Sequence, residues 1–143
     1  MRIVPFEPDH LTKLLLQPSQ AVMQPTLSNQ NYGENLAKSG PAFSLVDGDD
    51  VLACSGLIPQ WDNRALAWAL ISAEAGRNFM AIHRGVKRAI EFYPYRRVET
   101  AVKTDFAEGH RWMRLLGFEK EGTMRGYAPD GCDYDLYARI KNV

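Results

Sequence analysis

The chain has 143 residues with 45% apolar and 24% charged side chains, the balance of a soluble globular domain long enough to bury a core. Seventeen basic residues offset seventeen acidic ones, so no global field draws in nucleic acid or an anionic membrane. Apolar runs such as Leu14-Leu15-Leu16 and Ala65 to Ile71 fall far short of the roughly 20 residues that span a bilayer. The N-terminus shows no basic segment followed by an apolar signal core, and a cytoplasmic location is expected. Cys54 and Cys132 make no CxxC or metal spacing and read as small buried hydrophobes in separate strands.

In chain order, Arg2 to Phe6 reads as a strand. Pro8-Asp9 opens an apolar-periodic stretch with Leu11, Leu14 and Leu15, the proline suiting a helix start. Gln20 to Leu27 is polar and gives no clear period. Ser28 to Lys38 reads as a helix capped by Ser28 and stopped by Gly40-Pro41. Ala42 to Val46 and Val51 to Ile58 are strands around the hairpin signal Asp47-Gly48-Asp49-Asp50. In Ala65 to Ile71, alanines 65, 67 and 69 alternate with Leu66, Trp68 and Leu70, giving a small face and a bulky one.

The clearest helix is Arg77 to Phe92, with Phe79, Ile82, Val86, Ala89 and Ile90 on one face. His83 intrudes on that apolar side and reads as structural, whereas His10 reads as a surface residue. The cluster Arg84, Lys87 and Arg88, with Arg96 and Arg97 nearby, reads as a solvated face. Arg97 to Lys103 is a strand and Asp105 to Leu116 a helix. Phe118 to Tyr127 and Cys132 to Ile140 flank Ala128-Pro129-Asp130-Gly131, where proline presets one turn angle and glycine accepts positive φ. The chain is therefore expected to form one domain over residues 1–143. Its fold class is α/β (α+β), order βααβββαβαββ, with a mixed central sheet and helices on both faces. The central strand–helix–strand implies a right-handed crossover and a parallel pair.

The last third, from Arg97-Val98-Glu99-Thr100-Ala101-Val102 through Leu116-Gly117-Phe118 to Tyr137-Ala138-Arg139-Ile140, resembles the C-terminal half of the GNAT superfamily of acyl-coenzyme A-dependent N-acetyltransferases. In that family a helix ending in Gly-Phe precedes the last two strands, and a splay beneath it holds the thioester. The resemblance implies acetyl-CoA as cofactor, an amine as acceptor and direct attack without a covalent enzyme intermediate. It also implies a mobile acceptor-binding segment at Gln20 to Leu27, with Trp61 in the hairpin loop as a candidate wall of an acceptor pocket. Family members can dimerise through the last strands, which leaves a homodimer open.

A diphosphate needs converging backbone N–H groups at a helix N-terminus, where the macrodipole favours negative charge. The junction Ala73-Glu74-Ala75-Gly76-Arg77-Asn78 is placed to supply them, and Gly76 alone matches the family's loop. The cofactor-binding candidates are thus Gly76, Arg77, Asn78 and Phe79 at the diphosphate, with Leu70 and Ile71 beside the pantetheine. Trp112 is either a wall of that site or a packing residue. Gly76 also reads as a simple turn, and Glu74 opposes a diphosphate.

Acetyl transfer to an amine calls for a base and, often, an acid for the leaving thiolate. The family's usual acid is a tyrosine, and counting five residues back from Phe118 gives Met113, which cannot donate a proton. The strand Ala65 to Ile71 carries no acidic base. Asp105 and His110 are the catalytic candidates: Asp105 equally suits a helix N-cap, and His110 a structural hydrogen bond. Tyr134 and Tyr137 must face opposite ways by strand alternation. Lacking the usual loop and tyrosine, the chain looks like GNAT-like proteins encoded by tailed phages, some of which are virion components. A non-catalytic binding or virion-associated module, with a virion partner or host-cytoplasm location, is therefore the alternative to an enzyme.

Overall fold

The computed structural model describes residues 1–141. Among these residues seven strands form one sheet: β1 (Arg2–Pro5), β2 (Ala42–Asp47), β3 (Asp50–Trp61), β4 (Arg64–Ile71), β5 (Arg97–Lys103), β6 (Glu119–Met124) and β7 (Tyr134–Ile140), in the order β1-β2-β3-β4-β5-β7-β6. The helices are α1 (Asp9–Thr12), α2 (Gln30–Ser39), α3 (Phe79–Phe92) and α4 (Ala107–Leu115). All neighbouring strands run antiparallel except β4 and β5, which are parallel and joined by the α3 crossover. The expected mixed α+β architecture is the one observed.

Turn chemistry sets the hairpins. Asp47 pairs with Asp50 around Gly48, whose φ is +59°, and Gly131 at φ +82° donates its amide to Ala128 O. Alternation then assigns the faces. Ala67 and Ala69 lie with Ile71, Val98, Val102 and Tyr137 against Ile82, Val86 and Ile90 of α3 and Met113 of α4. Burying each of the three α3 side chains contributes about 1.5–3 kcal/mol. Trp68, Leu70 and Cys54 face the other way, packing with Leu11, Leu14, Leu27 and Leu36 from the N-terminal segments. Small alanines on the α3 side let that helix lie close. Gly109 does the same for α4, since a Cβ there would stand 2.7 Å from Val102 Cγ1.

Several local expectations are corrected. The first helix is a single turn, because Leu15 and Leu16 leave the helical path: Leu16 bridges Ser72, and Leu15 is exposed. Pro18 to Ser28 coils as a 3₁₀ segment with prolines at its start and interior, which no 3.6-residue period could reveal. The cap of α2 is Asn29, accepting from the Asn31 amide at 3.0 Å, while Ser28 Oγ turns back to Pro25 O. Cys132 precedes β7 and so lies outside a strand, and Trp61 ends β3. The final hairpin strands are also shorter than expected at the turn.

The Gly117-Phe118 pair closes α4 as a Schellman motif. Gly117, at φ +86°, donates to Arg114 O, Phe118 donates to Met113 O, and the two buried side chains Met113 and Phe118 accompany the bonds.

Candidate functional site

The parallel pair is short. Arg64, Ala65 and Leu66 register with Arg97, Val98 and Glu99, and beyond Leu66 the two strands no longer pair, although β4 continues to Ile71 and β5 to Lys103. A cleft thus opens between their C-terminal ends, and the chain leaving β4 turns through a 3₁₀ turn, Gly76–Asn78, into α3. Sheet geometry directs the outer backbone groups of β4 into this opening.

Those groups are already engaged. The Gln20 carboxamide donates from Nε2 to Ala69 O at 2.7 Å and accepts the Ile71 amide on Oε1 at 3.0 Å. The Gln17 amide donates to Ile71 O at 2.9 Å. Leu70 turns its side chain into the core beneath α1 and α2, and Ile71 into the core beneath α3. Neither Leu70 nor Ile71 therefore presents a free strand edge to a pantetheine arm in this conformation.

The turn that leads into α3 is exposed. A Cβ on Gly76 would meet nothing within 4 Å, and Arg77 beside it is exposed. The amides of Asn78 and Phe79 fold back onto Ala75 O and Gly76 O, so the 3₁₀ turn uses two of the four expected phosphate donors internally. The residues present fit a diphosphate at Gly76 and Arg77, where space, a helix N-terminus and a cation coincide. They do not fit the pantetheine arm along Ile71 while Gln20 lies there.

Trp112 ties the two helices. Its indole N–H donates to His83 Nδ1 at 3.1 Å, and its ring meets Phe79 edge-on at 5.2 Å between centroids. His83 is buried, and burial, assisted by Lys87 and Arg84, lowers its pKa below the usual 6.5. The imidazole stays neutral and able to accept. His83 is buried on the apolar side of α3, where its spacing put it.

The two catalytic candidates lie in different surroundings. Asp105 is four-fifths exposed at the end of β5, 3.8 Å from Lys103 Nζ. It is not the N-cap. A turn in which the Phe106 amide bonds Lys103 O delays the helix by one residue, and Phe106 takes the cap position without a side-chain bond. His110, on α4, is gripped at both nitrogens: 2.9 Å from Thr104 O and 2.7 Å from the Tyr137 hydroxyl. A carbonyl only accepts, so Nε2 carries a proton, and in the neutral ring Nδ1 then receives the tyrosine O–H. Beneath it, buried Asp135 accepts from Thr123 at 2.8 Å and Thr104 at 3.1 Å. Burial pushes that carboxyl up, but the threonines and Lys120 outweigh it and hold it below the usual carboxylate range. Tyr137 faces α4, and Tyr134 takes the opposite face of β7 against the Tyr127 ring, as alternation requires.

Sequence reasoning missed Glu99, which sits where β4 and β5 part. It accepts two hydrogen bonds from Arg64, at 2.7 Å each, and one from Arg97 at 2.6 Å. Hydrogen bonds from Arg64, opposed by burial and reinforced by Arg97, hold its carboxyl at about 2. Glu99 is therefore an anion at neutral pH and a poor base. Trp61 is exposed, with the Arg64 guanidinium 4.8 Å over its ring. His10 is largely buried and not a surface residue; its Nδ1 lies 2.7 Å from Ser44 Oγ, which in turn donates to Cys54 Sγ. Burial, against the Ser44 hydrogen bond, pushes the Cys54 thiol up to about 11, so it is no nucleophile at neutral pH. Among the described residues no helix is long and apolar enough to cross a membrane.

No protein-family model and no curated protein matches the sequence. Solved structures match it in shape along nearly its whole length. A ribosomal-protein-alanine N-acetyltransferase from Brucella melitensis is 16% identical with a TM-score of 0.71, covering 99% of this chain and 100% of that one. A mutant spermidine N-acetyltransferase from Vibrio cholerae is 13% identical with a TM-score of 0.68, covering 98% and 95%. An acetyltransferase of the GNAT family from Streptococcus pneumoniae is 12% identical with a TM-score of 0.66, covering 98% and 99%. The fold is that of the GNAT N-acetyltransferases.

Proposed function

We propose that this protein is an N-acetyltransferase that moves an acetyl group from acetyl-CoA to an amine by direct attack. The observation that carries the reading is the parting of β4 and β5 after Leu66 and Glu99, with the α3 N-terminus at the mouth of the cleft. Acetyl-CoA would supply the activated acetyl group as a thioester. Gly76 and Arg77 would hold its diphosphate, and Trp112 with Phe79 would wall the cleft beside them. Asp105 is the proposed proton acceptor for the attacking amine, because its exposed carboxylate stands at the C-terminal end of β5. His110 belongs to the same helix start but spends both nitrogens on Thr104 and Tyr137, so a relay from Tyr137 is the role open to it.

A second reading has its own support. Met113 is buried where the family's tyrosine would stand, Glu99 is neutralised by two arginines, and the β4 edge is filled by glutamines. These features together favour a non-catalytic module of the same fold, of which a virion component is one form. Calorimetric titration with acetyl-CoA and with free coenzyme A, followed by thiol release across a panel of amines, separates the two. Binding with release supports the enzyme. Binding without release from any amine supports the module, and absence of binding overturns the coenzyme reading.

A further inference from the structure

The chain plugs its own cleft with an amide. In a parallel sheet, one residue of a strand grips its neighbour by donating to the C=O of residue i and accepting from the N–H of residue i+2. The Gln20 carboxamide does this to Ala69 and Ile71, although it belongs to a 3₁₀ segment and not to a strand. Gln17 extends the imitation by donating its backbone N–H to Ile71 O, and its side chain donates to Gln20 Oε1 at 3.2 Å. The Gln24 carboxamide braces the segment from behind, accepting from the Leu16 amide and donating to Leu14 O.

We propose that Gln20 is a releasable stopper on the β4 edge, and that an extended amide-bearing ligand, the pantetheine arm of coenzyme A, enters by displacing it. The inference rests on the coenzyme reading above. Three observations favour release over permanent structure. The bonds are made by a side chain, which can leave without unfolding a strand. The segment holding it is short-range 3₁₀ coil with prolines at Pro18 and Pro25, held to the core by Leu27 and a half-buried Met23. The groups Gln20 covers are one acceptor, Ala69 O, and one donor, the Ile71 amide, two residues apart on the same edge, which an incoming amide chain can satisfy in turn, so opening leaves no buried polar group unpaired. A conformation blocked by its own stopper binds with an apparent affinity reduced by the fraction that is open.

Two measurements on the intact chain test this. The first is hydrogen exchange at the Ile71 amide, without ligand, in the wild type and in Gln20→Ala. Exchange should accelerate in the variant, and addition of coenzyme A should restore protection. The second is coenzyme A affinity by calorimetry, which Gln20→Ala should raise about tenfold if the stopper is closed about nine-tenths of the time. Gln20→Glu, which keeps the acceptor for Ile71 but sets a carboxylate oxygen against Ala69 O, should raise it as well. Thermal melting verifies that both variants fold. If the folded variants bind coenzyme A no more tightly than the wild type, the stopper is overturned while the coenzyme reading stands. If neither wild type nor variant binds coenzyme A, both fall.

Discussion

Arg64 and Glu99 face each other across the seam of β4 and β5, with guanidinium Nε and Nη2 each 2.7 Å from a carboxylate oxygen. Arg97 reaches the same carboxylate and passes the chain of charge on to Glu121 of β6. Four side chains thus clamp the strands at the point where the sheet divides. Replacing Glu99 by glutamine leaves two guanidiniums without their shared anion and should cost about 2–4 kcal/mol in urea unfolding. Because the folded carboxyl is depressed, its contribution is complete above the ordinary value near 4.5 and is lost as pH falls toward about 2. That acid-side slope should shrink in Glu99→Gln.

The same sign governs His83 for a different reason. Its pKa is lowered by burial, so stability is lost as pH falls below the ordinary 6.5, where the unfolded chain takes up a proton first. Protonation also removes the acceptor that Trp112 uses. Replacing His83 by phenylalanine should leave the indole N–H unpaired, cost about 1–3 kcal/mol, and flatten the slope of stability below pH 6.5 in denaturant titrations.

Asp105 separates chemistry from folding cleanly, because it neither caps α4 nor is buried. Asp105→Asn should leave the melting temperature unchanged and lower acetyl transfer by about 10²–10⁴-fold. Undiminished turnover in a folded variant removes Asp105 from the proposal.

Arg77 is an exposed cation in the turn that leads into α3, and the proposed diphosphate site rests on it. Arg77→Glu should weaken coenzyme A binding by about tenfold at low salt, with the difference narrowing as ionic strength rises. A salt-independent difference would mean that the loss is one of packing.

Gly117 holds a left-handed conformation at the end of α4, φ +86°. Alanine there should cost about 1–2 kcal/mol and lower Tm by about 3–8 °C, since the added Cβ meets only the movable Arg139 side chain. The penalty is conformational, and Gly117→Asn should recover part of it.

What the sequence made legible were features whose cause is local. Gly48, Gly131 and Gly117 announce turns because positive φ favours glycine, and the alternation of alanines with Leu66, Trp68 and Leu70 assigns both faces of β4. The strand–helix–strand order gives the parallel pair and, with the Gly-Phe ending of α4, the fold. Features set by distant partners were illegible. Gln20 bonds residues about fifty positions away, His10 pairs with Ser44, and Glu99 needs Arg64 from another strand. None of these side chains differs by type or spacing from an ordinary surface residue. The N-cap alternative for Asp105 fails although aspartate before a helix is the right chemistry, because the Lys103–Phe106 turn moves the helix on by one.

The brief contact of β4 with β5 also governs how the molecule carries load. Backbone pairing passes from the β1–β4 leaf to the β5–β7–β6 leaf through three residue pairs, whereas β5 and β7 share seven. Tension applied across the seam therefore falls on the Arg64–Glu99–Arg97 clamp and on the α3 side chains spanning both leaves. A chain cut in the loop between Phe92 and Arg97 would leave each leaf with its own complete hairpin, the condition for two fragments to find each other and reassemble.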